Sequence, residues 1–173
     1  GFIKAASQVG KGSVFTIFLP ASASPVQSET ETMLAPLSGA GTILVVDDER
    51  FITEITGEWL RELGYQVIGA SSGQEALAIF ETHRDAIDLV ILDMVMPGMN
   101  GSETFDRLQA IDADVNVLLI SGYGLDGKAE KIHGLGCRGF LQKPFTIIQL
   151  SEKIKSILAK RPPRNIGVVR RME

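Results

Sequence analysis

A chain of 173 residues, 45% hydrophobic and 22% charged, is long enough for one good domain with tails, and it has no apolar run that would span a bilayer. Its net charge of −4 is uneven: residues 42–160 carry 11 Lys+Arg against 18 Asp+Glu, the first 41 are neutral, and the last thirteen are basic. Such an acidic body argues against nonspecific nucleic-acid binding, which needs basic surface to neutralise phosphates, and suits a domain that holds a cation. The single cysteine, Cys137, cannot form an internal disulfide and reads as a buried or idle thiol. The opening residues, GFIKAASQVGKGS, lack the apolar stretch and cleavage site of a signal peptide, so the chain is expected in the cytoplasm without direct membrane contact.

In chain order, residues 1–19 alternate loosely around VGKG, the pattern of a hairpin with a glycine-containing turn. Residues 20–41, rich in Ser, Thr, Ala and Pro, are expected to be a flexible linker, which as a coil of about 22 residues would span roughly 25 Å. From 42 to 160, five short apolar runs, TILVV, QVIGA, DLVILD, VNVLLI and GFLQ, alternate with amphipathic stretches. Runs apolar on both sides of the pleat predict strands of a parallel sheet covered on both faces. Ile52, Ile55, Trp59, Leu60 and Leu63 form one helical face closed by Gly64. Ser72 and Glu75 form the signature of a capping box, and a last helix from about Thr146 places Ile147, Leu150, Ile154, Ile157 and Leu158 on one side. The prediction is a doubly wound α/β domain with a five-stranded parallel sheet, followed by a basic tail, 161–173, that reads as a solvated end.

In such a sheet the ligand site lies beyond the carboxyl ends of the strands. Those ends carry Asp47-Asp48, Asp93 and Ser121-Gly122, and Lys143-Pro144 follows the fifth run closely. Three carboxylates a few ångströms apart repel, and a hard divalent cation such as Mg²⁺ resolves the repulsion. A carboxylate is a weak nucleophile toward phosphorus, so the cation and Lys143 are needed to neutralise the transferring oxygens while Asp93 attacks. Ser121 and backbone N–H groups near Met94 or Val95 would add hydrogen bonds. Met94, Met96 and Met99 read as packing and loop residues, because thioethers are poor ligands for hard cations. His83 and His133 stand in polar helical contexts and do not read as phosphodonors.

The motifs LVVDDE at 44–49, LVILDMVMPGMNG at 89–101, LLISGYG at 118–124 and GFLQKPF at 139–145 together resemble a response-regulator receiver domain over residues 42–160. The resemblance implies the flavodoxin-like (βα)5 fold with strand order 2-1-3-4-5 and phosphorelay signalling. It implies Mg²⁺-dependent acceptance of a phosphoryl group by Asp93 from the phosphohistidine domain of a sensor kinase or phosphotransfer protein, and slow hydrolysis afterwards. It further implies direct Mg²⁺ ligation by Asp48, Asp93 and the Val95 carbonyl, with Asp47 acting mainly through water. Ser121 and Phe140 fall at the family's switch positions, and the surface of the fourth helix, fifth strand and fifth helix would be the readout. Phe140 lacks a phenolic hydroxyl, and an aromatic in a terminal strand also serves as plain core.

Residues 1–19 resemble the final strands of a histidine-kinase ATP-binding domain, which implies a hybrid sensor kinase whose kinase core lies outside this stretch. The receiver would catalyse only its own phosphorylation and dephosphorylation. A flavodoxin-like cofactor binder shares the architecture, but the acidic DDER follows the first strand where a Gly-rich phosphate loop would be needed. A metal-dependent phosphatase would carry a second carboxylate where Val95 stands. The remaining alternative is a catalytically silent receiver that serves as a docking module.

Overall fold

The computed structural model describes residues 1–21, 36–122 and 137–159. They belong to two compact units that divide between Leu34 and Ala35. The first is an antiparallel hairpin of β1 (Phe2–Gln8) and β2 (Gly12–Phe18), closed by a Lys11 N–H to Gln8 carbonyl bond of 2.9 Å. Every residue of both strands is exposed, as a two-stranded ribbon alone must be, since it has no second layer to bury a face against. Phe2 and Phe18 stack with centroids 4.4 Å apart, and the Lys4 ammonium lies over both rings.

The second unit alternates strands and helices. In order they are β3 (Thr42–Val46), α1 (Arg50–Glu62), β4 (Gln66–Ala70), α2 (Gly73–His83), β5 (Ile87–Asp93), α3 (Gly101–Ile111), β6 (Val117–Ser121), β7 (Gly139–Gln142) and α4 (Ile147–Leu158). The strands pair in parallel in the order β4-β3-β5-β6-β7, which is the expected 2-1-3-4-5. The continuous apolar runs explain the two faces. Along β3, Ile43 and Val45 turn to one side with Leu60 of α1 and Leu150 and Ile154 of α4. Leu44 and Val46 turn to the other with Phe80 of α2 and Phe105 and Leu108 of α3. Each fully buried Leu, Ile or Phe contributes about 1.5–3 kcal/mol, so both layers are needed to stabilise the unit.

Local signals set the helix ends. Gly64 has φ +95°, the left-handed conformation that closes α1. The Ser72 hydroxyl accepts from the Glu75 N–H at 3.2 Å, as expected, but the reciprocal half of the box is displaced. The Glu75 carboxylate accepts from the Ser71 N–H at 2.8 Å instead of from Ser72, because the Ser71 hydroxyl also donates to it at 2.7 Å and holds it there. These bonds hold the Glu75 pKa below the usual carboxylate range. At α4 a complete box forms between Thr146 and Gln149. The chain bound onto the second unit starts earlier than composition suggests, since Leu37, Gly39 and Gly41, in the stretch read as linker, bond to residues 151, 63 and 66. The stretch 123–136 between β6 and β7, where the expected fourth helix of the readout surface falls so that α4 answers to the expected fifth, lies outside the described residues, as do His133 within it and the tail beyond 160.

Candidate functional site

The strand order reverses between β3 and β5: the chain leaves β3 for β4 on one side and returns to β5 on the other. The gap this opens at their carboxyl ends is where Asp47, Asp48 and Asp93 stand. One carboxylate oxygen from each lies within 4.8 Å of the others. Asp47 and Asp93 are buried, at 4% and 6% exposure, while Asp48 faces solvent. Lys143 reaches over from the end of β7, and its ammonium donates to Asp47 Oδ2 at 2.7 Å and pairs with Asp93 Oδ1 at 3.2 Å.

Backbone and neighbours hold these groups. The Glu49 N–H, at the start of α1, donates to Asp47 Oδ1 at 2.9 Å, and the Thr53 hydroxyl donates to the Asp47 carbonyl at 3.2 Å. Asp93 accepts from the Val95 N–H. The Lys143 N–H donates to the Ser121 carbonyl at 2.8 Å, which ties the end of β7 to the end of β6. Gly101, the first residue of α3, packs onto the Asp93 carbonyl so closely that a Cβ there would overlap it. Glu49, Thr53 and Gly101 were not singled out from the sequence. Two of them act through backbone atoms, which residue type does not advertise, and Thr53 shows only as a polar residue on an amphipathic helix.

Burial raises the Asp93 pKa first, and the Asp47 charge raises it further; the Lys143 ammonium and the Val95 N–H oppose this without cancelling it. Burial alone would lower the Lys143 pKa, but the bonds and charges of Asp47 and Asp93 outweigh it, and the net direction is up. Lys143 thus pairs with two of the three clustered carboxylates, and Asp48 is left facing solvent. The donor set, oxygens only and one carboxylate open to solvent, fits a hard divalent ion that keeps several waters.

The structure brings Asp47, Asp48, Asp93 and Lys143 together as expected. Ser121 is buried at the end of β6, and Val95 is exposed beside Asp93. Phe140 is half-buried in β7 against the layer that holds Phe80 and Phe105. Met94 and Met96 pack with that same layer. Lys143 also lines, with Ile52, Ile55, Thr56, Trp59, Pro144 and Phe145, an apolar cavity of about 370 Å³.

Residues 43–155 match the family described as response regulator receiver domain. The chain is 37% identical over 169 residues to the sensor kinase CckA of Brucella abortus (strain 2308), covering 92% of this chain and 18% of that protein. It is 35% identical over 116 residues to the sporulation initiation phosphotransferase F of Bacillus subtilis (strain 168), covering 67% of this chain and 92% of that one. Among solved structures, the response regulator TrrA of Thermotoga maritima, in complex with Mg²⁺-BeF, superposes with a TM-score of 0.61 at 35% identity over 68% of this chain and 99% of that one. The chain therefore spans under a fifth of one relative and nearly all of another.

Proposed function

Because this chain belongs to the response regulator receiver family and works in two-component phosphorelay signalling, we propose that Asp93 is the residue that accepts the phosphoryl group. One observation carries the assignment. Asp93 is the last residue of β5, the middle one of the five strands, and is buried and paired with the Lys143 ammonium at 3.2 Å, whereas Asp47, also buried, has one oxygen on the Glu49 N–H and the other on Lys143, and Asp48 faces solvent.

The donor is a phosphorylated imidazole on a partner. An Asp93 carboxylate oxygen forms the new O–P bond as the N–P bond breaks, and its electron pair stays on the imidazole, which then takes up a proton. Two negative groups approach each other in this step, so charge compensation dominates the barrier. A Mg²⁺ held by Asp48, Asp93 and the Val95 carbonyl, with Asp47 reaching it through water, supplies part of that compensation when bound. Lys143 supplies the rest by following the transferred oxygens, and Ser121 donates a hydrogen bond to them. Movement of Ser121 leaves space for the Phe140 ring, which biases a two-state equilibrium. The apolar cavity lined by Ile55 and Trp59 gives the donor protein a surface to rest on beside the site.

Incubation of the chain with Mg²⁺ and acetyl phosphate should add one phosphoryl mass, absent in Asp93→Asn. A folded native chain whose mass does not change would leave the silent docking module as the better reading. The intact set of three carboxylates and a lysine favours turnover over silence.

We also propose that residues 1–19 are the end of a kinase ATP-binding domain, followed by a linker and the receiver. Two observations support this. The similarity to the sensor kinase covers more of the chain than residues 43–155, and the hairpin exposes Phe2, Ile3, Phe15 and Ile17, which a larger sheet would cover. The coding sequence upstream of Gly1 tests it: an ATP-binding domain there supports the reading, and an unrelated sequence overturns it.

A further inference from the structure

Residues 36–40 run up to the first rung of the β3–β4 pairing, at Gly41, and are held against the receiver in a way that neither the sheet nor the carboxylate site requires. The Leu37 N–H donates to Ser151 Oγ at 3.1 Å, and that hydroxyl, fully buried on α4, donates onward to the Ile148 carbonyl at 2.8 Å. The Gly39 N–H donates to the Leu63 carbonyl at 2.9 Å, at the end of α1, and the Gln66 N–H donates to the Gly41 carbonyl at 2.8 Å. Gly39 lies so tightly against Tyr65 that a Cβ would overlap the phenol oxygen. The strap is thus bonded at one end to α4 and at the other to α1 and β4, and its glycine serves close contact.

The α4 end leads back to the site. Lys143 stands three residues before Thr146, whose hydroxyl and backbone N–H close the capping box that fixes the start of α4, and Ser151 follows one turn later. Lys143 now occupies Asp47 Oδ2 and Asp93 Oδ1. A divalent cation among the three carboxylates competes for these same oxygens, so loading the site moves the ammonium. Close-packed elements respond to such a displacement by shifting as units between discrete arrangements.

We propose that residues 36–40 are a latch that reads the state of the site through α4, and that loading of the site loosens the hold of Ser151 on Leu37. The inference rests on the roles assigned above to Asp93 and Lys143. Coupling between two sites is reciprocal, so a weakened latch tightens binding at the carboxylates by the same factor.

Hydrogen exchange of the Leu37 and Gly39 amides, measured by NMR on the whole chain with and without Mg²⁺ and beryllium fluoride, tests the first half. Loading should speed exchange at both amides at least about fivefold, the lower end of ordinary coupling between sites. Leu37→Pro removes the donating N–H, together with the leucine side chain and some backbone freedom, and Gly39→Val pushes the strap off Tyr65 without touching α4. Both should tighten Mg²⁺ binding by a similar factor, read by the fluorescence of Trp59. The latch is overturned if exchange at Leu37 and Gly39 is unchanged while the probes bind, or if both variants keep the native Mg²⁺ affinity. Failure of Mg²⁺ and beryllium fluoride to bind at all would instead overturn the reading of the site itself.

Discussion

Asp93 is buried, and the same burial that raises its pKa makes its charge a burden to the folded chain. A group whose pKa is higher folded than unfolded holds its proton more tightly in the native state, so its contribution is fully present below the unfolded value. It is lost as pH rises through the folded value. Metal-free protein should therefore give up stability above the ordinary aspartate range, and Asp93→Asn should raise the urea midpoint at pH 7. The advantage should fade as the pH is brought below about 4, where the native carboxyl is also neutral. It should shrink again in saturating Mg²⁺, which stabilises only the native site. A variant no more stable than the native chain at pH 7 would show that Lys143 compensates the charge in full. The carboxylates also differ from one another. Asp47 spends one oxygen on the Glu49 N–H and the other on Lys143, whereas Asp48 is solvent-facing. Calorimetry should accordingly find Mg²⁺ binding weakened far more by Asp48→Ala than by Asp47→Ala, and equal losses would contradict direct ligation by Asp48. These acidic and basic residues were legible from the sequence only as a set, since an aspartate at a strand end by itself is more often a helix cap or a solvated loop residue. The Glu49 group that holds Asp47 was not, because it is a backbone N–H, which residue type does not advertise.

At the scale of elements, the helices show which local signals carry through. Thr146 is exposed, and its hydroxyl accepts from the Gln149 N–H at 3.3 Å while Gln149 Oε1 accepts from the Thr146 N–H at 2.9 Å. Thr146→Ala removes the cap without opening a cavity, so it should cost about 1 kcal/mol in chemical denaturation. A loss near zero would mean that packing of Leu150 and Ile154 alone fixes the start of α4. The strands were legible for a similar reason: a run apolar at every position has to be covered on both faces, and α1 with α4 and α2 with α3 are what cover β3 and β5. The displaced partner of Glu75 shows the limit of pattern reading. The spacing from Ser72 specifies a box, yet a second serine one residue earlier offers both an N–H and a hydroxyl, and two donors outcompete one.

For the whole molecule, glycine and serine at 38–41 look like linker because composition reports how free a backbone is and not whether something restrains it. Here Gly39 and Gly41 lie where a Cβ would overlap Tyr65 and Asp88, while Ser38 and Ala40 between them are exposed. The family similarity starts at residue 43, but the stable unit starts earlier. A chain beginning at residue 36 keeps the bonds of Leu37, Gly39 and Gly41, whereas one beginning at 43 loses all three and also the bond from the Thr42 N–H to Asp88. Each such bond contributes about 1 kcal/mol net, and Tyr65, whose pKa is raised by burial, would be uncovered as well. The shorter chain should therefore unfold at distinctly lower urea than the one beginning at 36. Equal midpoints for the two shortened chains would place the boundary back at β3.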